Sequence, residues 1–342
     1  KENRMNSMEL EIPEQDKLAF GQYYGKKIAP KCRRYESVRE AAAARYKERR
    51  KIVAPLTFIG IPAFLLFFAM SFYGAFMLDF KDGVFFIGFG GALVSLGLVV
   101  LANIWAGSEI GELRTQIVEE IYPLLLGYFG KSFAFNPPGL PELESYKDYG
   151  LFPDYDKGYF QNSVRGKYLN VPFLLRELTL LERTGKNDNG PQYKTLFDGI
   201  VIEFELPKRF SATIQVRRDK GFMANGLAQF RSKLTRVKLE DPDFEGRFEV
   251  YSDDQLEARY VLNTVTMERL LSLSGFYQGE LEACFKQGRL FVKIACQHSY
   301  FEPQLDLLKP LDLSADIEQV FKEIHEVFDL IKALKLDSRT GL

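Results

Sequence analysis

The two longest apolar stretches of the chain, residues 52–78 and 84–106, are separated only by the polar turn at 79–83. Neither stretch contains a charged residue. Each is longer than the about 20 residues that an α-helix needs to cross a bilayer. The pattern predicts a transmembrane hairpin over residues 52–106.

Helical patterns continue on both sides of this hairpin. Residues 1–51 combine a polar tail with a basic, alanine-rich helix that should run into the first span. Residues 107–135 carry apolar positions at steps of three and four, namely Ile110, Leu113, Ile117, Ile121 and Leu124. Because a two-span hairpin returns the chain to the same side, these helices are expected to pack as a two-helix stalk.

Beyond residue 140 the period changes to two. Ile200, Ile202 and Phe204 alternate with Val201 and Glu203, which predicts a strand with one buried face. Gln287-Gly288 predicts a two-residue hairpin loop that pairs Phe285 with Leu290. One face of that hairpin should carry Leu281, Ala283, Phe285, Leu290, Val292 and Ile294.

The last segment has a helical period, with Ser314 as its expected cap. Its predicted buried stripe is Ile317, Val320, Phe321, Ile324, Val327, Phe328 and Ile331. The pattern therefore predicts that residues 140–342 form an α+β domain, in which helices pack on a mainly antiparallel sheet.

Charge decides the expected orientation. The net charge is -1, so no global field favours nucleic acid. Residues 26–51, however, hold eleven basic and three acidic residues. The positive-inside rule then places both termini in the cytoplasm, with the hairpin in the cytoplasmic membrane.

Small residues recur in the second apolar stretch. Gly88 and Ala92, and likewise Gly91 and Ser95, are separated by four positions. Such pairs allow a neighbouring helix to approach closely. That helix is expected to be the first span or a span of a second copy of the chain.

A polar motif, YSDDQLEARY at residues 251–260, opens a predicted helix. Ser252 and Gln255 fit a capping box, with Ser252 as the N-cap. The motif is expected to be mainly structural, with Arg259 bonding within the domain. Its members are Tyr251, Asp253, Asp254, Gln255, Glu257, Arg259 and Tyr260.

The stretch from Leu239 to Ser274, with FEVYSDDQLEARY at its centre, resembles an uncharacterised bacterial family of two-span membrane proteins with a soluble α+β domain. The resemblance covers most of residues 165–302. It departs at residues 264–266, where a proline-containing helix start is expected. It implies a bacterial cytoplasmic membrane and an association with LemA-type membrane proteins, and it implies no reaction.

Basic residues also cluster in the predicted sheet. They are Lys208, Arg209, Arg217, Arg218, Lys220, Arg231, Lys233, Arg236 and Lys238, with only Asp219 against them. A domain tethered to an anionic leaflet would be attracted to it by such residues, at about 1 kcal/mol for each well-placed cation. The alternative interpretation is a charged sheet edge that prevents aggregation.

Signals for catalysis and metal binding are weak. His298 and Glu302 could exchange protons, but no nucleophile motif accompanies them, and His325 is expected beside the apolar stripe of the last helix. An acidic group comprises Glu240, Asp241, Asp243, Glu245, Asp253, Asp254 and Glu257, but matches no EF-hand spacing. The widely spaced Cys32, Cys284 and Cys296 do not suggest a disulfide framework. No cofactor is expected.

The sequence therefore favours a non-enzymatic, membrane-anchored module that binds a protein partner or organises an assembly. The partner would be a membrane protein or a second copy of the chain. One alternative is a sensor of anionic lipid or a small ligand. The weaker alternative is a membrane hydrolase that uses His298 and the acidic group.

Overall fold

The computed structural model describes residues 13–77, 83–137, 139–187, 190–206, 210–218, 234–276, 280–295, 301 and 305–336. These residues form two compact units. The helical unit contains residues 24–121 and 305–313. The sheet unit contains the described parts of residues 13–23, 122–301 and 314–336.

Two long helices dominate the helical unit. A π-helical segment, Tyr24–Ile28, leads into α2 (Ala29–Phe76), and α3 (Val84–Leu126) follows the turn. At 1.5 Å per residue, α2 is roughly 70 Å long. The helix continues through Pro55 and Pro62, so the basic segment runs into the first apolar stretch without interruption, as the sequence predicts.

Polar contacts show that α2 and α3 run antiparallel. The Nζ of Lys31 donates to Glu120 at 3.1 Å, and the hydroxyl of Tyr35 donates to the carbonyl of Gln116 at 3.0 Å. Nearer to the apolar stretches, Asn103 donates to Thr57 at 3.2 Å. As the residue number on α2 rises from Lys31 to Thr57, the number of its partner on α3 falls from Glu120 to Asn103.

The sheet unit is built on nine antiparallel strands, which confirms the predicted α+β class. Their order across the sheet is β1-β2-β3-β4-β9-β8-β5-β7-β6. The strands are β1 (Ala134–Phe135), β2 (Lys157–Tyr168), β3 (Val171–Asn187), β4 (Gly190–Glu205), β5 (Ile214–Arg218), β6 (Thr235–Val237), β7 (Phe248–Ser252), β8 (Glu280–Lys286) and β9 (Arg289–Ala295).

The predicted β8–β9 hairpin is confirmed in register. Phe285 pairs with Leu290, and Ala283 pairs with Val292. Gln287 and Gly288 form the turn with φ values of 51° and 72°, as a two-residue hairpin of this type requires. The six apolar residues predicted to share one face of the hairpin are all buried.

The prediction of a single buried face is wrong, because the sheet is covered on both sides. Val201, Cys284 and Phe291 point away from the predicted core face and are nevertheless buried. They pack against Tyr146 and Tyr149 of a 3₁₀ helix, Leu143–Tyr149. Alternation along a strand shows which residues share a face, but it does not reveal whether a distant segment covers the other face.

Helices complete the sheet unit: α1 (Glu14–Tyr23), α4 (Pro242–Glu245), α5 (Gln255–Val261), α6 (Thr264–Phe276) and α7 (Ser314–Leu336). Helix α6 begins at Thr264 without a proline, and the Oδ1 of Asn263 accepts a hydrogen bond from the backbone N–H of Thr266 at 2.9 Å. Every residue of the predicted α7 stripe is buried. Helix α7 also begins at the predicted cap position.

Candidate functional site

An outward-facing band of apolar side chains covers the helical unit between Ile52 and Trp105. Of the 30 exposed large hydrophobic side chains among the described residues, 23 lie in this band. Phe58 is 82% exposed and Leu66 is 69% exposed. In the most apolar windows of the two helices only 6% and 17% of the residues are buried, so neither helix is the core helix of this chain. Both helices are long and apolar enough to cross a membrane.

The predicted small-residue pairs lie at the contact between α2 and α3. A Cβ added at Gly88 would come within 3.0 Å of the backbone nitrogen of Ser71, and one added at Gly91 would overlap the ring of Phe67. Ala92 is buried and accepts, through its carbonyl, a hydrogen bond from Ser95 at 3.0 Å. Of the two partners left open by the sequence, the first apolar helix is the one observed.

A cluster of ionic groups closes one end of the apolar band. The buried carboxylate of Glu109 forms ion pairs with Arg45 at 2.8 Å and with Arg49 at 2.7 Å. Hydrogen bonding to Arg45 lowers the pKa of Glu109 below its usual value, against the effect of burial. Arg49 also lies over the ring of Trp105, 4.8 Å from its centre. These contacts join α2 to α3 at the level where the apolar surface ends.

The described arginines of the predicted basic cluster lie in different surroundings. Arg217 is buried, with 4% of its surface exposed. Arg218 pairs with Glu280, and Arg236 pairs with Glu249 at 3.3 Å. Lys208, Arg209, Lys220, Arg231 and Lys233 lie outside the described residues. Arg217 therefore contributes to the interior, and the two exposed arginines are already paired with acids.

Arg217 takes part in an arrangement that the sequence did not reveal. Residues 143–152, here called the strap, cross the second face of the sheet. Four successive strap carbonyls accept hydrogen bonds from sheet side chains: Asp148 from Lys286 at 2.8 Å, Tyr149 from Gln215 at 3.0 Å, Gly150 from Arg217 at 2.5 Å, and Leu151 from Lys293 at 3.0 Å. A helix end leaves such carbonyls without partners, and cations are favoured there.

Ionic partners complete this layer under the strap. Lys293 pairs with Glu282 at 2.6 Å, and the guanidinium of Arg217 lies 4.0 Å from the same carboxylate. Burial raises the pKa of Glu203, although Arg289 donates to this carboxylate at 3.0 Å. The arrangement holds the strap in place. The available sequence signal was a tyrosine-containing segment that is followed by a glycine, LESYKDYG, since Gly150 adopts φ 65° at the end of the 3₁₀ helix.

The YSDDQLEARY motif fastens α5 to the strand that precedes it, but with a different cap from the one predicted. Asp254, not Ser252, is the N-cap, and its side chain accepts from the backbone N–H groups of Leu256 and Glu257 at 2.9 and 3.0 Å. Ser252 instead donates to the carbonyl of Asp254 at 2.9 Å. Asp254 is preferred because a carboxylate also interacts favourably with the helix dipole.

The other motif residues make further local contacts. Asp253 accepts from the N–H of Thr213 at 2.8 Å, and Glu257 accepts from the N–H of Ala212 at 2.7 Å. Tyr251 donates to Glu249 at 2.7 Å. The weakest contacts are those of Gln255 with Thr235 and of Arg259 with the carbonyl of Gln255, both at 3.5 Å. The motif thus joins α5 to the chain around β5.

Residues of the acidic group also cap and brace local structure. Asp241 caps α4, and Glu245 accepts from the N–H of Leu239 at 2.9 Å. Within the described part of the chain, no three His, Cys, Asp or Glu side chains are grouped as a metal site requires. His298, Glu302 and Cys296 lie outside the described residues.

Three titratable residues on α7 that do not belong to the predicted apolar stripe are nevertheless buried. Glu323 is fully buried, and its carboxylate accepts from Gln319 at 3.1 Å. Burial raises its pKa well above the usual value, and the charge of Glu177 adds to this shift. Burial also raises the pKa of Glu326 to about 7.

His325 lies beside the apolar stripe, as the sequence predicts, and it is buried there, with 8% of its surface exposed. Its Nδ1 lies 2.8 Å from the carbonyl of Phe321, and burial lowers its pKa. The rings of Phe129 and Phe328 lie beside it. Helix α7 is surrounded on all sides at its centre, which a stripe of apolar residues does not indicate.

Comparison with known proteins adds one region of similarity. A family described as "Protein of unknown function (DUF3137)" matches residues 195–336, from the second half of β4 to the end of α7. The match confirms the predicted similarity to a family of unknown function, while the association with LemA-type proteins stays a prediction. No curated protein matches the chain.

One solved structure is similar over a large part of its length, the crystal structure of the mycobacterial trehalose monomycolate transport factor A, TtfA. It shares 12% sequence identity, and the similarity covers 55% of this chain and 90% of that chain, with a TM-score of 0.26. A similarity at this level carries no argument about fold or function.

Proposed function

We propose that the chain is a non-enzymatic protein anchored in the bacterial cytoplasmic membrane, which binds a protein partner through its α+β domain. The observation that carries the anchoring is the exposed apolar band between Ile52 and Trp105. Contiguous apolar patches on soluble monomers rarely exceed a few hundred Å². Two adjacent helices of bilayer-spanning length that expose Leu, Ile and Phe fit hydrocarbon far better than water.

The polar contacts within the band support the same assignment. Asn103 donates to Thr57 and to the carbonyl of Val99, so its amide is satisfied between the helices. Each polar group that lacks a hydrogen bond in hydrocarbon raises the free energy by roughly several kcal/mol. The ionic cluster around Glu109 begins only where the apolar surface ends.

An apolar patch on the sheet unit is the surface favoured for the partner. Leu256 is 81% exposed and Tyr260 is 42% exposed, and they are one helical turn apart on α5. Val265, at the start of α6, is 41% exposed. The motif residues hold α5 by its polar groups, and these apolar side chains remain at the surface. A partner with a complementary apolar surface would bury them.

Membrane anchoring is tested by extraction of the full chain from bacterial membranes. The chain should remain with the membrane pellet at alkaline pH without detergent, and it should dissolve when detergent is added. Release at alkaline pH alone would show that the chain is only peripherally attached and would overturn the anchoring.

Partner binding is tested by mild detergent extraction and mass spectrometry of proteins that co-purify in a fixed ratio. Leu256→Asp should remove such a partner. Leu308→Asp is the matched control, because Leu308 is 60% exposed and lies in the helical unit. Equal recovery with both variants would exclude the α5 surface, and no protein in a fixed ratio would contradict partner binding.

A further inference from the structure

The five basic residues of α2 nearest to the apolar band divide into two sets. Arg45 and Arg49, one turn apart, face α3 and share the carboxylate of Glu109. This carboxylate compensates one of their two positive charges and holds both guanidinium groups against α3. The second set comprises Lys47, Arg50 and Lys51, which lie within about one turn on another face of the helix.

The second set is exposed and only weakly compensated. Among the described residues Lys47 has no ion-pair partner, and the only ion pair of Lys51 joins it to Glu48 at 2.6 Å. Both side chains of this pair are about 70% exposed, so it contributes little. Arg50 has a neutral partner, since its Nη1 donates to Oδ1 of Asn103 at 2.8 Å. The outward surface keeps an excess of positive charge.

The position of this surface along the helix is defined on both helices. Ile52, the first exposed apolar residue of the band, directly follows Lys51 and is 63% exposed. On α3, Trp105 lies beside Arg49 and is 46% exposed. Tryptophan is enriched at the level of lipid headgroups, where its ring is apolar and its N–H is wet. The cations therefore lie at the boundary between apolar and aqueous surface.

From these positions we infer that Lys47, Arg50 and Lys51 form a binding site for the phosphate groups of anionic phospholipids. The inference rests on the proposed anchoring, and it names a lipid class that the anchor prefers. Arg50 is held in place by Asn103 and can donate its remaining N–H groups to phosphate oxygens. The two lysines add mobile ammonium groups on the same face.

The three described arginines of the basic cluster predicted in the sheet are less suited to lipid contact. Arg217 is buried, and Arg218 and Arg236 are paired with acids. Lys47 and Arg50 have no acidic partner among the described residues. Charge complementarity and the adjacent apolar band therefore favour an anionic lipid headgroup at the end of α2.

Trp105 supplies the measurement, because it is the only tryptophan of the chain. The full chain is reconstituted in vesicles of zwitterionic and anionic phospholipid at one fixed ratio. Either the zwitterionic or the anionic lipid carries bromine atoms on its acyl chains, which quench tryptophan on contact. The ratio of the two quenching efficiencies reports the enrichment of anionic lipid around Trp105.

The variant exchanges Lys47, Arg50 and Lys51 for Gln. The control exchanges Lys26, Lys27 and Arg33, which are also exposed and basic but lie 14 or more residues before Lys47, and it removes the same charge. The original chain should be quenched more by brominated anionic lipid. The enrichment should fall roughly fivefold or more in the variant, since each well-placed cation contributes about a factor of five. The control should keep most of the enrichment.

The outcomes separate the two proposals. Strong but equal quenching by both lipids would leave the anchoring intact and overturn the lipid site. An equal loss in variant and control would overturn the site too, because a diffuse field would then explain the preference. No quenching by either lipid would overturn the anchoring, and the lipid site would fail with it.

Discussion

The helical unit and the sheet unit place their apolar side chains in opposite ways. Between Ile52 and Trp105 large apolar groups point outwards, while Gly88 and Gly91 line the helix contact. In the sheet unit Phe204 and Phe291 are fully buried. Burial of apolar surface drives folding only where water is the alternative. Between helices in hydrocarbon, close packing of small residues takes over that role.

One interior polar side chain in each unit shows how a buried polar group is stabilised. Asn103 is satisfied by Thr57 and by a carbonyl inside the helix pair, and Arg217 is satisfied by Gln215 and Gly150 under the strap. A buried polar group is costly in either environment unless it is hydrogen-bonded. The units thus differ in where their apolar surface lies, but Asn103 and Arg217 are each hydrogen-bonded within their own unit.

The largest effect is expected beneath the strap. Arg217→Met should destabilise the sheet unit by about 3 to 5 kcal/mol, because the Gly150 carbonyl and the nearby Glu282 lose a buried partner. Denaturant unfolding of the full chain in detergent measures this. Arg218→Met is the control, since its side chain is 42% exposed, and it should change stability by less than about 1 kcal/mol. Equal effects would show that the strap contacts contribute little.

A charge placed in the apolar band should prevent stable insertion. Leu66 is 69% exposed, and Leu66→Arg should cost about 3 kcal/mol at the middle of a bilayer. The fraction of chain that resists alkaline extraction should fall. Leu256→Arg, at an exposed position of the sheet unit, should leave this fraction unchanged. A tolerated Leu66→Arg would mean that this surface does not face hydrocarbon.

A smaller effect is expected at the helix contact. Gly88→Val would force the added carbons onto the backbone of Ser71, and it should destabilise the helix pair by about 1 to 3 kcal/mol. Gly97→Val is the matched control, because nothing lies within 4 Å of a Cβ at that position. Cysteine cross-linking between α2 and α3 in membranes should weaken in the first variant only.

The smallest effect is a pH dependence within the sheet unit. The pKa of Glu326 rises from 4.5 to about 7 through burial, with Asp329 adding to the shift and Arg269 opposing it. Because the pKa of Glu326 is higher in the folded chain than in the unfolded chain, the protonated carboxyl group favours the folded state. This contribution to stability is complete below pH 4.5 and is lost as the pH rises through 7. In Glu326→Gln, the free energy of unfolding should fall by about 1 to 2 kcal/mol less over this pH range than in the original chain.

Thermal unfolding between pH 5 and 8 measures this difference. Glu318→Gln is the control on the same helix, because its pKa is lowered by Lys322. An unchanged slope in Glu326→Gln would show that the carboxylate is ionised throughout. Glu323, which is also buried, should contribute in the same direction.

Local patterns predicted the elements well where one period dominates. The β8–β9 register followed from Gln287-Gly288 and the alternation around it. The α7 stripe followed from steps of three and four residues. The assignment of α2 and α3 as long apolar helices followed from length and the absence of charge. Each of these signals is contained in a short stretch of chain.

Contacts between distant segments were not predictable in this way. Tyr149 contacts Glu203, which lies 54 residues further along the chain, and its carbonyl accepts a hydrogen bond from Gln215, 66 residues away. Arg217 belonged to a basic cluster in the sequence, and yet it is buried under the strap. The alternation of a strand carries no information about which segment covers its second face.

The sequence by itself determined the α+β class, the two apolar helices, the register of one hairpin and the boundary between apolar and basic residues on α2. These depend on composition and on periods of 2 and 3.6 residues. Only the tertiary structure decided which cations are neutralised. Glu109 pairs with Arg45 and Arg49 across the helix pair, whereas Lys47 and Arg50 remain without an acidic partner among the described residues. The charge of a surface depends on groups that folding brings together from distant positions.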